Sequence, residues 1–139
     1  MATLISDAER KVFAKIADAL IPEAEGMPSA TQVGVDGDIL DRILGLRPDL
    51  QEAFFRAIRT ATSDDGMKMA ENLNRDDPAA ISAVGIVAAA AYYMSDKVRK
   101  LIGYPGQENR PANPDEEPEY ITNGMLKVVT DRGKIYREA

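Results

Sequence analysis

Asp77-Pro78-Ala79-Ala80-Ile81-Ser82-Ala83-Val84-Gly85-Ile86-Val87-Ala88-Ala89-Ala90-Ala91-Tyr92-Tyr93-Met94 carries no charge beyond its first residue, and the whole chain is best read outward from it. Asp77 can cap a helix with its carboxylate, and the fixed φ of Pro78 suits a first helical turn. Ile81, Val84, Val87 and Ala91 follow at helical spacing, and the run Ala88 to Ala91 lets neighbouring helices approach closely. The uncharged stretch from Pro78 to Ser95 is shorter than the roughly 20 apolar residues a bilayer span requires. It therefore predicts a buried central helix, which the rest of the chain must cover.

Upstream, Ser6-Asp7-Ala8-Glu9 matches a capping box. Phe13, Ile16, Ala17 and Leu20 form the expected buried stripe of the helix that follows, which Pro22 stops near Ile21. Residues 23–34 read as loop. Ile39, Leu40, Ile43 and Leu44 mark a short second helix ending before Gly45, and Pro48 opens a third that presents Leu50, Phe54, Ile58 and Ala61 on one face. Met67, Ala70 and Leu73 share a face and suggest another short helix within 63–74.

Downstream, Asp96 is expected to cap one or two further turns, with Val98, Leu101 and Ile102 turned inward and Gly103 closing them. Pro105, Pro111, Pro114 and Pro118, with the acidic Asp115-Glu116-Glu117, then describe an extended arm, because proline cannot continue a helix. Ile121, Met125, Val128 and Val129 suggest one last short helix, and residues 133–137 an extended tail. The expectation is an all-α fold: a small helix bundle over residues 1–103, then a docking loop, an extended Pro-rich C-terminal arm and a short helix over 104–139, packed on the same domain.

Composition closes off most chemistry. A chain of 139 residues, 45% hydrophobic, fits one domain able to bury about 68% of its unfolded-chain surface. It has no cysteine, which excludes disulfides, iron–sulfur ligation and thiolate zinc sites, and no histidine, which removes imidazole ligands, the Ser-His-Asp triad and the ordinary proton shuttle near neutral pH. A net charge of −6 argues against a polyanionic partner. Met1 to Asp7 shows neither a basic segment before an apolar core nor a twin-arginine pair, so the expected location is cytoplasmic, or periplasmic if a leader has been removed.

Asp36, Asp38 and Asp41 crowd one turn, but the calcium-loop pattern needs more ligands and a terminal bidentate Glu. They read as a solvated helix start, as Asp64-Asp65 and Asp76-Asp77 read as caps. Gly26, Gly34 and Gly37 lack the spacing and preceding strand of a dinucleotide fingerprint. No catalytic, cofactor-binding or metal-binding residue emerges. What remains is Leu101-Ile102-Gly103-Tyr104-Pro105-Gly106-Gln107-Glu108-Asn109-Arg110-Pro111, where Gly103 and the Pro-Gly pair favour a tight turn presenting Tyr104 and Gln107. Tyr104 there suits an interface anchor, while Tyr92 and Tyr93 suit either core or rim.

On Tyr92-Tyr93 followed by Ile102-Gly103-Tyr104-Pro105-Gly106-Gln107, and more weakly on Ala17-Asp18-Ala19-Leu20-Ile21-Pro22 and Met27-Pro28-Ser29-Ala30 with Gly34-Val35, the chain resembles the small, gamma-type subunits (subunit 3) of gluconate 2-dehydrogenase and related flavin-dependent sugar and alcohol dehydrogenases. The resemblance covers most of the chain. It implies an accessory subunit that is not itself an enzyme and holds no flavin or haem. Such a subunit binds and stabilises a large flavoprotein of the glucose-methanol-choline type, where the FAD resides. Many relatives begin with a twin-arginine leader, and this sequence shows none, which favours a cytoplasmic partner. Tyr104, Pro105, Gly106, Gln107 and Arg110 are the expected partner-binding residues. The alternative from the residues alone is a free-standing helical protein binding a small ligand in an apolar pocket near Tyr92 and Tyr104.

Overall fold

The computed structural model of the chain describes residues 5–109 and 115–135; Arg110, Pro111, Pro114 and the end of the expected tail lie outside them. Among the described residues the regular structure is helical and contains no strand. In chain order the helices are α1 (Asp7–Leu20), α2 (Asp38–Leu46), α3 (Pro48–Thr60), α4 (Gly66–Asp76), α5 (Pro78–Met94), α6 (Asp96–Leu101), α7 (Glu119–Thr122) and α8 (Lys127–Arg132). None is long and apolar enough to cross a membrane. The chain divides into two units, one ending at Gly106 and holding α1 to α6, the other starting at Gln107 and holding α7 and α8.

α5 is the axis of the first unit. Its start is fixed as the sequence implies: the Asp77 carboxylate accepts from the Ala80 amide at 3.1 Å and from the Arg56 guanidinium of α3 at 2.6 Å. Ala80, Ala83, Val84, Val87, Ala88, Ala91 and Tyr92 are buried along it, and α1, α2, α3, α4 and α6 all touch it. Small side chains allow that crowding. Phe13 of α1 and Phe54 of α3 are fully buried and meet with ring centroids 5.4 Å apart; each such side chain contributes about 1.5–3 kcal/mol on leaving water.

α1 begins with the capping box: the Glu9 amide donates to Ser6 Oγ at 3.3 Å, and the Ser6 amide donates back to the Glu9 carboxylate at 2.9 Å. Arg59 of α3 adds a bond to Glu9 at 2.9 Å, tying the two helices at the rim. α4 crosses α1 at Gly66, where a Cβ would stand 2.0 Å from the Lys15 carbonyl oxygen. Only glycine permits that approach, a requirement with no counterpart in the hydrophobic pattern.

Several inward positions differ from expectation. Leu20 is 40% exposed because α1 ends there and Ile21, half-buried against the core, takes its place. In α4 the contact at Gly66 sets the helix phase, so Met69 rather than Met67 joins Ala70 and Leu73 inside. α6 has six residues and room for one inward side chain, Val98, which leaves Leu101 and Ile102 about half exposed. Ser95, not Asp96, stands at its N-cap position. α2 runs through Gly45 to Leu46. The expected last helix is two, α7 and α8, separated at Asn123-Gly124, where Gly124 has φ 78° and the Asn123 side chain accepts from the Met125 amide.

Gly66→Ala should cost about 1–3 kcal/mol, because the clash is with backbone. Gly85→Ala, where nothing lies within 4 Å of the added carbon, should be neutral or stabilising by up to about 1 kcal/mol. Paired thermal melts measure both.

The bonds from Ser6, and then Arg59, hold the Glu9 carboxyl below its ordinary value, as Arg56 and the Ala80 amide do for Asp77. A depressed folded-state value means stability is fully present above the ordinary carboxylate range and is lost as pH falls through and below it. Melting temperature should therefore drop on acidification, and Glu9→Gln should flatten part of that drop.

Candidate functional site

A helix uncharged on every side is normally buried on every side. α5 is not. Ala79, Ser82, Ile86 and Tyr93 recur along one line of its surface and are exposed, Ile86 by 44% and Tyr93 by 59%, with Met94 beside them. After the single residue Ser95 the chain enters α6, whose outward Leu101, with Ile102 after it, is also exposed. Between them and the end of α5 lie the charged Asp96, Lys97 and Lys100, also exposed.

The two tyrosines at the end of α5 part company because successive helical residues point about 100° apart. Tyr92 is buried, and its hydroxyl donates to the Pro28 carbonyl at 2.7 Å; burial raises its phenol above the ordinary value. Tyr93 stands outside with its ring edge-on to that of Tyr92, centroids 5.5 Å apart. A fixed inner ring thus steadies an exposed outer one.

Pro28 belongs to a loop that is itself clamped. The Asp18 carboxylate of α1 accepts from the Thr31 amide at 2.8 Å and from the Thr31 hydroxyl at 2.6 Å, capping the 3-10 turn Thr31–Val33. The Ala30 amide donates to the Ile21 carbonyl at 3.1 Å, and the Ser29 amide to the Gln32 side chain at 2.9 Å. Asp18, Pro28, Ser29, Ala30 and Tyr92, scattered through the sequence, form one strut between α1, the loop and α5. Their chemistry is wholly spent on holding it.

At the far end of α6 the chain folds back around Arg99. The Tyr104 amide donates to the Arg99 carbonyl at 2.8 Å, and the guanidinium lies 5.7 Å from the Tyr104 ring centroid. Gly103 and Gly106 have φ of 67° and 91°, and a Cβ on Gly106 would stand 2.9 Å from the Arg99 side chain. Tyr104, Pro105 and Gly106 therefore form one turn over Arg99, with Tyr104 and Pro105 exposed. Gln107, also exposed, opens the second unit. Arg110, the remaining expected residue, lies outside the described residues. Sequence reasoning missed Arg99 as the turn's support, and missed Ile86, Met94, Leu101 and Ile102 as surface. No local signal separates these apolar positions from core, because periodicity does not say whether another helix covers a face.

The acidic turn before α2 serves the fold. Arg10 pairs with Asp41 and donates to the carbonyls of Asp36 at 2.9 Å and Gly37 at 3.1 Å, pinning the start of α2 to α1. No group of three or more carboxylates among the described residues could hold a metal ion. A cleft of about 420 Å³ opens where α3 ends and α4 meets α5, lined by residues including Thr60, Met69, Asn72 and Arg75. Its charges are already paired, Arg75 with Asp76 at 2.8 Å and Asp77 with Arg56. It lies at the start of α5, whereas Tyr92 is at the opposite end.

Comparison with known proteins finds no family model, no curated protein and no solved structure that matches the chain.

Tyr92→Phe leaves the Pro28 carbonyl without its donor and should cost about 1–3 kcal/mol. Tyr104→Ala, at an exposed turn, should change stability by less than about 0.5 kcal/mol. Denaturant melts of the two variants check this contrast, and a large loss at Tyr104 would assign the turn to the fold.

Proposed function

We propose that this chain is a non-catalytic accessory subunit that binds and stabilises a large FAD-dependent sugar or alcohol dehydrogenase of the glucose-methanol-choline type. The observation that carries the docking role is the uncharged outward line of α5, from Ala79 to Met94, exposed in a helix otherwise made for burial. Exposed apolar surface of this kind marks an interaction site. Tyr93 and Tyr104 are its natural anchors, since a large ring with a polar tip contributes most where it is fully desolvated on binding.

Both anchors are ordered in advance: Tyr93 rests on Tyr92, and Tyr104 is held by the bonds to Arg99. Little conformational entropy remains to be lost when a partner covers them. Pro105, Gly106, Gln107 and Arg110 complete the proposed contact. The kind of partner comes from the residue resemblance. A chain without histidine or cysteine has few means of redox chemistry by itself, which agrees with a subunit whose FAD-bearing partner performs it. The partner would share the compartment of this chain, proposed as the cytoplasm.

A tagged copy recovered from its native host should bring down a yellow, flavin-containing protein, while the chain purified alone should be colourless. Tyr93→Asp and Tyr104→Ala should each weaken that complex by roughly thirtyfold or more without lowering the melting temperature of the free chain. A stoichiometric flavin or metal bound to the isolated chain would overturn the reading.

A further inference from the structure

We propose that two copies of this chain associate by exchanging C-terminal segments, residues 116–129 of each lying along α6 and the outward face of α5 of the other. None of the described residues from 115 to 135 is buried, and Met125, Val128 and Val129 are 66%, 77% and 62% exposed. A segment with Tyr120, Ile121, Met125, Leu126, Val128 and Val129 all at the surface gains little burial to offset the cost of ordering its backbone. A covering surface would supply that gain.

The order of chemistry along the segment matches that of the α5–α6 surface in reverse. From Glu116 the segment reads acidic and then mainly apolar: Glu116, Glu117 and Glu119, followed by Tyr120, Ile121, Met125, Leu126, Val128 and Val129, with Lys127 among them paired to Asp131. Read back from Lys100, the surface is mainly basic and then apolar: Lys100 and Lys97, with Asp96 paired to Arg99, followed by Met94, Tyr93 and Ile86. Among the described residues no ion pair is made by Lys97, Lys100, Glu116, Glu117 or Glu119. Laid against each other in opposite directions, the acids can meet the bases while apolar side chains meet apolar ones. One chain carries both halves, so two copies satisfy each other reciprocally and close as a twofold dimer. The inference concerns the chain free of its proposed flavoprotein, which would compete with the second copy for this face, and it stands or falls on this chain alone.

Sedimentation velocity of the full chain over a range of concentrations tests it, with Lys97→Glu/Lys100→Glu as one variant and Glu116→Lys/Glu117→Lys as the other. The changed residues are all exposed, so each variant should melt as the wild type does. The wild type should dimerise, and each variant alone should do so about tenfold or more weakly, because like charges then face each other. An equimolar mixture of the two variants should regain wild-type dimerisation, since in the mixed pair both contacts again join opposite charges. A wild type that stays monomeric at its highest soluble concentration overturns the proposal, as do variants that dimerise undiminished. Failure of the mixture to recover overturns it as well, including the case in which recovery needs all four changes in one chain, which would mean each segment covers its own chain.

Discussion

Seventeen residues without a charged side chain cannot sit comfortably in water, and the first unit is arranged around that fact. α1, α2, α3, α4 and α6 each lie against α5, and the alanines and valines along it admit them closely. The rim of the unit is then held by polar contacts that start or join helices: Ser6 with Glu9, Arg10 with Asp41, Arg56 with Asp77 and Arg59 with Glu9. These pairs are at least partly exposed and individually modest. Their value is positional, because several of them fix where a helix begins or which neighbour it leans on.

Burial of α5 is nevertheless incomplete. The line through Ile86 and Tyr93 is left outside, and the structure spends effort on making it rigid. Tyr92 is locked by the Pro28 carbonyl, Pro28 lies in the loop that Asp18 clamps through Thr31, and Tyr93 leans on Tyr92. A purely structural end of a helix would not require its exposed aromatic to be braced. A surface that must be recognised benefits, since ordering done during folding is not repeated on binding.

Much of the helical framework was legible because its signals are local. Ser6 and Glu9, Asp77 and Pro78, and the spacing of Phe13, Ile16, Phe54 and Ile58 each act within a few residues of chain. What escaped depends on tertiary contact. Gly66 looks like a loop glycine until the Lys15 carbonyl appears 2.0 Å from its absent Cβ, and the same contact turns Met69 inward instead of Met67. Leu101 and Ile102 read as core because they are apolar, yet α6 is too short to bury more than Val98. Of the proposed site, the turn at Tyr104 was visible through its glycines and proline. Its support by Arg99 and its extension along α5 were not, because periodicity says that a residue lies on a face without saying whether another helix covers that face.

The central claim is that the outward line of α5, together with the exposed Leu101, Ile102 and Tyr104, is a surface made to be covered. Side-chain oxidative footprinting reads this directly when applied to the chain alone, at a dilution that keeps it monomeric, and to the complex recovered from its host. The account predicts that Ile86, Tyr93, Met94 and Tyr104 are labelled in the free chain and strongly protected in the complex, while Leu46 and Met67, exposed elsewhere on the unit, are labelled equally in both. Undiminished labelling of Tyr93 and Tyr104 in the complex, with protection at Leu46 or Met67 instead, would contradict it.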